Sequence, residues 1–151
     1  MIENDVAPLV LYLARLLNVA RDKVAFKGLE LSPQLIRILM TIYALPNATV
    51  TDLATKTKLT KATLSKHVST LVKNDYINKV IDASDHRIER LALSKKGLSY
   101  AEDCIARLER MNEEIVSKFS QQKVDQLKSL CVELSKIYIE RIEKEKHETC
   151  N

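Results

Sequence analysis

The stretch that decides the fold is LTKATLSKHVSTLVKNDYI, residues Leu59–Ile77. Its apolar residues recur every three or four positions, which predicts an α-helix, and Thr60 is suited to cap that helix. One side of the helix should be buried, and it carries Leu64, Val68, Leu71 and Val72. The other side should face solvent or a partner.

The opposite side of this helix contains no acidic residue. On a 100° helical wheel it carries small, hydroxyl and lysine side chains, namely Ala62, Thr63, Lys66, Ser69, Thr70 and Lys73. An ordinary solvent-facing helix more often includes Glu or Asp, which pair with neighbouring lysines. Small side chains allow close approach to a DNA major groove, while hydroxyls and lysines can bind base edges or phosphates. The pattern favours DNA binding, although helix pairs of this kind also occur as packing units.

The residues just before this helix predict a second, shorter one. Residues 49–58, TVTDLATKTK, fit a helix with Thr51 as its cap and with Leu53 and Ala54 on its buried side. A tight joint at Lys58–Leu59 would connect the two helices. The expected unit is a helix-turn-helix.

Two runs that are typical of strands follow the helix pair. Residues Tyr76–Asp82 and Ile88–Ser94 are rich in β-branched or alternating residues, and ASDHR, residues 83–87, connects them. A helix-turn-helix followed by a hairpin is a winged helix, in which Arg87 at the tip suits an electronegative minor groove. Asp85 could hold this arginine in place by accepting a hydrogen bond from its guanidinium or from a turn amide. The alternative is a solvated turn that contacts nothing.

Amphipathic helices are expected on both sides of the winged helix. One spans residues 6–24 with Gly28 as its stop signal, and Ser32 can cap the next. Ser94 can cap a long helix that opens a segment, residues 98–151, free of Gly and Pro. The sequence thus has three long apolar stripes, one N-terminal and two C-terminal. They exceed what one small winged helix can cover, so a second copy of the chain is the simplest partner. Packing within a single core is the alternative.

Charge is unevenly distributed along the 151 residues. The net charge is +4, yet residues 49–97 hold ten Lys or Arg against five Asp or Glu, and the remainder holds fourteen against fifteen. The positive excess therefore lies entirely in the predicted winged helix. This localisation suits a polyanion, because each Lys or Arg that neutralises a phosphate releases counterions. A solvated basic surface explains the charge alone equally well.

The sequence argues against several other classes of protein. It has no run of 18 apolar residues, and its N-terminus, MIENDVAP, is acidic. We therefore expect a cytoplasmic protein without a membrane span. The motifs of common enzyme families and of cofactor sites are missing, which predicts no catalytic site and no cofactor. His67, His86 and His147 lack the spacing of metal ligands. The three widely spaced cysteines, Cys104, Cys131 and Cys150, fit reduced thiols.

The order of these motifs resembles the MarR family of bacterial transcriptional regulators. The motifs are TVTDLA, LTKATLSKHVSTLVKNDYI, DASDHR and LALSKKG, with helices on either side. The resemblance implies a mainly α protein with a small β-hairpin wing, in which residues 31–97 form the winged helix-turn-helix. Residues 1–30 and 98–151 would form a helical dimerisation region. It further implies a homodimer that binds a pseudo-palindromic operator in double-stranded DNA. Small molecules, often aromatic anions, would modulate this binding.

By this resemblance the stretch from Thr60 to Lys73 is the recognition helix, and Asp85, His86 and Arg87 form the DNA-binding wing tip. The recognition helix adds Thr60, Lys61 and Ser65 to the six residues of the acid-free side. Asp75 stands where the family usually has glycine, and His86 stands where a second basic residue is frequent. No residue matches a family effector site, so the effector is unknown. The expected function is transcriptional regulation, by repression in the family's manner; the alternative is a helical protein-interaction module that does not bind DNA.

Overall fold

The structure, a computed structural model, describes residues 6–148, and it describes side chains as far as residue 145. It contains six α-helices and one antiparallel hairpin, as the sequence predicted for the fold class. The elements are α1 (Val6–Ala20), α2 (Pro33–Ala44), α3 (Val50–Thr57), α4 (Lys61–Lys73), β1 (Ile77–Ile81), β2 (Glu89–Leu93), α5 (Lys95–Phe119) and α6 (Gln121–Glu148). A π-helical turn, Arg21–Ala25, extends α1.

The described chain divides into two compact units between Leu108 and Glu109, within α5. The first unit contains the helix pair, the hairpin and a shared apolar core. The predicted division into residues 31–97 and a flanking dimerisation region concerns the assembly of two copies, and it stays a prediction.

The core of the first unit lies between α2, the helix pair α3–α4 and the hairpin. Its fully buried side chains are Ile36, Ile38, Leu39, Ile42, Leu53, Leu64, Val68, Leu71, Tyr76, Ile77 and Leu91. The prediction that Val72 shares the buried side is wrong, because Val72 lies about 100° beyond Leu71 on the helix and is 36% exposed. Ala54 is half-buried.

Helix caps fix where the helices of the first unit begin. Ser32 and Thr60 cap α2 and α4 as predicted, since their hydroxyls accept hydrogen bonds from the amides of Leu35 (3.4 Å) and Thr63 (3.2 Å). Ser94 likewise accepts from the amide of Gly97 at 3.0 Å.

The prediction that Thr51 caps α3 is wrong. Thr49 is the cap, because Asp52 stands three residues after it and completes a capping box. The Asp52 amide donates to Thr49 Oγ1 (3.2 Å), and the Thr49 amide donates to Asp52 Oδ2 (2.8 Å).

Left-handed residues make the turns between the elements of the winged helix. Lys58, with φ of 57°, ends α3 at the predicted joint. Asp75, with φ of 60°, turns the chain from α4 into β1, in the conformation expected where the family usually has glycine. In the hairpin Ile77 pairs with Leu93 and Ile81 with Glu89.

The helices α1 and α6 expose most of their large apolar side chains. We call these two surfaces the open apolar faces. They comprise Val6, Leu9, Val10, Leu11, Tyr12, Leu13, Leu16, Leu17 and Val19 of α1, and Leu127, Leu130, Val132, Ile137, Tyr138, Ile139 and Ile142 of α6. Among residues 6–148, no helix is long and apolar enough to cross a membrane.

Candidate nucleic-acid interface

The nine residues predicted for the recognition helix lie on α4 and at its cap. Eight are exposed and Thr63 is half-buried. The lysines Lys61, Lys66 and Lys73 make no side-chain hydrogen bond or ion pair within the described part of the chain. Because α4 also lacks an acidic residue, its positive charge is uncompensated along the whole helix.

The hydroxyl groups of α4 are not equally available to a partner. Thr60 Oγ1 and Thr63 Oγ1 lie 2.9 Å apart and bond to each other, and Thr70 Oγ1 donates to the carbonyl of Lys66 at 3.0 Å. Ser65 and Ser69 have no such bond among the described residues. The side chains best placed to bind a new partner are therefore the two serines and the three lysines.

The hairpin tip is built on one carboxylate, that of Asp82. Its Oδ1 accepts hydrogen bonds from the amide and hydroxyl of Ser84 (2.8 and 2.5 Å) and from the amide of Asp85 (3.2 Å). Its Oδ2 accepts from the guanidinium of Arg90. The Ser84 hydroxyl bond, followed by the Arg90 bond, holds the pKa of Asp82 well below the usual carboxyl range. The sequence analysis missed this role, although an Asp two residues before a Ser is typical of an Asx turn.

Asp85 organises the other half of the tip. Its Oδ1 accepts a hydrogen bond from the amide of Arg87 at 3.0 Å, so of the two predicted donors the structure has the turn amide. The Asp85 carbonyl accepts from the amide of Ile88 at 2.9 Å. The side chains of His86 and Arg87 are exposed and have no partner among the described residues. The wing thus presents Arg87 on a structured turn.

Arg90 connects the hairpin to the loop between α2 and α3. Besides its bond to Asp82, its Nη1 donates to the carbonyl of Asn47 at 3.0 Å. The amide of Leu91 donates to the carbonyl of Ala48 in the same loop at 2.9 Å. Arg90 was not predicted as a functional residue.

A cavity of about 450 Å³ opens beside the helix pair, between the end of α1, α2 and α3. Three cations line it, Arg21, Arg37 and Lys56, together with apolar side chains that include Phe26, Ile36 and Leu108. Asp22 neutralises part of this charge, since its Oδ1 lies 3.2 Å from Arg21 Nε and its Oδ2 lies 3.2 Å from Arg37 Nη1.

The described residues contain no group of three His, Cys, Asp or Glu side chains that could hold a metal ion. Cys104 is buried, and burial raises the pKa of its thiol to about 11. Cys131 is exposed, whereas Cys150 lies outside the described residues, as does the side chain of His147.

A helix pair with a left-handed joint, followed by a hairpin tethered to it, defines the winged helix-turn-helix class. Residues 31–88 match the model of the MarR family. This winged-helix part of the chain therefore carries the domain of the MarR family. No curated protein sequence matches the chain.

Solved structures resemble nearly the whole chain. A MarR protein from Peptoclostridium difficile is 25% identical with a TM-score of 0.72, over 91% of this chain and 90% of that one. The transcriptional regulator SlyA is 21% identical with a TM-score of 0.71, over 91% and 96% of the two chains. MepR of S. aureus, in a structure of its complex with DNA, is 22% identical with a TM-score of 0.69, over 89% and 99%.

Proposed function

We propose that this regulator binds double-stranded DNA as a homodimer and represses transcription from a pseudo-palindromic operator in the cytoplasm. The helix α4 enters the major groove, and Arg87 of the wing reaches the adjacent minor groove. The observation that carries the proposal is the exposed, acid-free side of α4, whose three lysines have no partner among the described residues. The similar MepR fold was solved with DNA, which supports the same use here.

The open apolar faces support the homodimer. A surface helix normally buries its apolar side, yet both α1 and α6 leave theirs exposed in the single chain. A second copy would cover them and would hold two winged helices at a fixed spacing, about 34 Å for half-sites one DNA turn apart. Removing the residues after Ser120 should yield monomers with poor DNA affinity. A truncated protein that remains dimeric would exclude α6 as the interface.

The direct test is fluorescence anisotropy of the protein with a pool of short duplexes, from low to physiological salt. Lys66→Glu should weaken binding about tenfold or more, the range for losing one close contact to a base or phosphate. Lys27→Glu is the matched control, because Lys27 is exposed, its side chain has no described partner, and the charge change is the same. Equal binding by the two variants would remove α4 from the interface.

Arg87→Ala tests the wing in the same assay. This variant should lose affinity and lose preference for A/T-rich flanks, because a narrow A/T minor groove attracts arginine. It should keep its thermal stability, since the Arg87 side chain makes no hydrogen bond or ion pair among the described residues. Unchanged affinity would exclude Arg87 from the interface.

A second candidate function is a helical protein-interaction module, which the open apolar faces alone would explain. The Lys66→Glu variant of such a module should bind its protein partner as well as the wild type does, and neither protein should show salt-dependent affinity for DNA. Wild-type protein that binds no duplex at any salt concentration, even after refolding to remove bound ligand, would favour this candidate.

The cavity beside the helix pair supports modulation by an organic anion. Lys56, which has no ion pair among the described residues, can bind a carboxylate together with the N–H groups of Arg21 and Arg37 that Asp22 does not use. Phe26 and Ile36 can pack against an apolar body. Such a ligand lowers DNA affinity only as far as it prefers the form that does not bind DNA. Benzoate should release the protein from the duplex in a titration, whereas neutral benzamide should not. Equal effects of the two compounds would exclude recognition of the carboxylate.

A further inference from the structure

We infer that Arg90 is a positioning residue that sets the direction of the wing relative to α4. The inference rests on the proposed DNA binding and adds a residue that does not itself contact DNA. Arg90 lies on β2, close to the hairpin tip and at the base of the Arg87 turn. Its guanidinium links two parts of the chain that only the fold brings together.

One end of this link is the carboxylate that folds the wing tip. Arg90 Nε donates to Asp82 Oδ2, while Asp82 Oδ1 binds the amides of Ser84 and Asp85. Asp85 in turn binds the amide of Arg87. A continuous chain of hydrogen bonds therefore runs from Arg90 to the backbone of Arg87.

The other end of the link is the loop that leads into the helix pair. Arg90 Nη1 donates to the carbonyl of Asn47 at 3.0 Å. Asn47 adopts a left-handed conformation with φ of 62°, and two residues later Thr49 caps α3. Because α3 continues into α4 through the Lys58 joint, this loop is the part of the helix-turn-helix that the hairpin contacts through Arg90.

The chemistry of the link requires arginine. Nε and Nη1 of one planar guanidinium bind two acceptors at once, which the single ammonium group of lysine cannot do in the same geometry. The Asp82 side chain is 11% exposed and the Arg90 side chain is 37% exposed, so the Asp82 carboxylate is the more enclosed partner of the pair. Two nitrogen atoms of Arg90 are already bonded to acceptors within the protein. Its effect on DNA binding is therefore exerted by positioning Arg87.

A double-mutant cycle of Arg90→Gln and Arg87→Ala tests the inference by duplex binding. Arg90→Gln alone should weaken binding to the A/T-flanked duplex about tenfold, within the coupling range of contacting residues. In the Arg87→Ala background it should change affinity less than about twofold, because its target has been removed. Arg90→Lys should resemble Arg90→Gln. Additive losses, or full rescue by lysine, would overturn the positioning role.

Lys79→Gln is the matched control on the same hairpin. It removes one positive charge and an exposed ion pair, since Lys79 Nζ lies 2.9 Å from Glu89 Oε2, but it leaves the contact to Asn47 intact. Its affinity should stay within about twofold of the wild type. A loss equal to that of Arg90→Gln would mean that hairpin charge, and not the link, accounts for the effect.

Amide hydrogen exchange of the free protein tests the link without DNA. In Arg90→Gln the amides of Asp85 and Ile88 should exchange faster, while the amides within α4 keep their protection. Unchanged wing protection would overturn the inference even if the wild type binds DNA. Wild-type protein that binds no duplex would instead refute the proposed function, and with it the effect on DNA, while the exchange result would still decide whether the link orders the wing.

Discussion

Substitution of Gly97 by alanine should destabilise the winged helix. Gly97 lies in the first turn of α5, and a Cβ atom there would stand 1.8 Å from the carbonyl oxygen of Tyr76 and 2.8 Å from its carbon. A carbon and a carbonyl oxygen normally approach no closer than about 3.3 Å. The start of α5 would therefore have to move by about 1.5 Å away from Tyr76 to restore that separation.

That movement would break the two hydrogen bonds that attach Ser94, the cap of α5, to the residues that follow α4. The amide of Ser94 donates to the Tyr76 carbonyl (3.0 Å), and its hydroxyl donates to the Asp75 carbonyl (2.5 Å). At a net value of about 1 kcal/mol each, their loss removes about 2 kcal/mol. The higher helix propensity of alanine offsets at most about 1 kcal/mol. The free energy of unfolding should fall by at least about 1 kcal/mol.

Thermal unfolding followed by circular dichroism measures this change. A loss of about 1 kcal/mol lowers Tm by about 2–4 °C for a chain of this size. Protein concentration must be held constant, because association would make Tm concentration-dependent. Ser99→Ala, at an exposed position of the same helix, is the control and should change stability by less than about 0.5 kcal/mol. A Gly97→Ala protein as stable as the control would refute the steric argument.

Three further experiments test the buried hydroxyl of Tyr76, the exposure of two cysteines and the hydrogen bonds of Asp82. Tyr76→Phe should keep or raise the free energy of unfolding in urea, because the buried Tyr76 hydroxyl has no hydrogen-bond partner among the described residues; a loss above about 1 kcal/mol would reveal one. In a Cys150→Ser protein, iodoacetamide at pH 8 should label the exposed Cys131 but should not label Cys104 until urea is added, because burial raises the pKa of the Cys104 thiol to about 11. Labelling of Cys104 before urea is added would contradict its burial. The pKa of Asp82 is lowered in the folded protein, so its contribution to stability is complete above the unfolded pKa of about 3.9 and is lost only as pH falls through the lower folded pKa. An NMR titration of this carboxyl should therefore have its midpoint below about 4, and a midpoint near 4 would contradict the wing-tip hydrogen bonds.

Most of the fold could be predicted because its helices repeat their apolar residues with a regular period. The same reasoning could not fix helix ends within two residues. Thr49 and Thr51 are both good caps, and the capping partner Asp52 decided between them. It also misplaced Val72, because a 100° step from Leu71 is enough to leave the core.

The candidate site was predictable only where it depends on local sequence. The acid-free side of α4 follows from spacing within one helix, and Arg87 follows from its place between two strands. The contacts of Arg90 do not, because it binds a carboxylate eight residues away and a backbone carbonyl 43 residues away. A backbone acceptor leaves no mark in the sequence, so only the folded chain reveals this connection.

A single residue, Ser120, separates α5 from α6. It adopts a left-handed conformation with φ of 71°; its amide donates to the carbonyl of Val116 (2.9 Å), and its carbonyl accepts from the amide of Val124 (3.2 Å). It thus makes a backbone hydrogen bond to each helix, and no other residue lies between the two helices. Inserting one residue within α6 would rotate everything beyond it by about 100° and break up its apolar face. Evolution can therefore replace side chains along this segment far more easily than it can insert or delete residues.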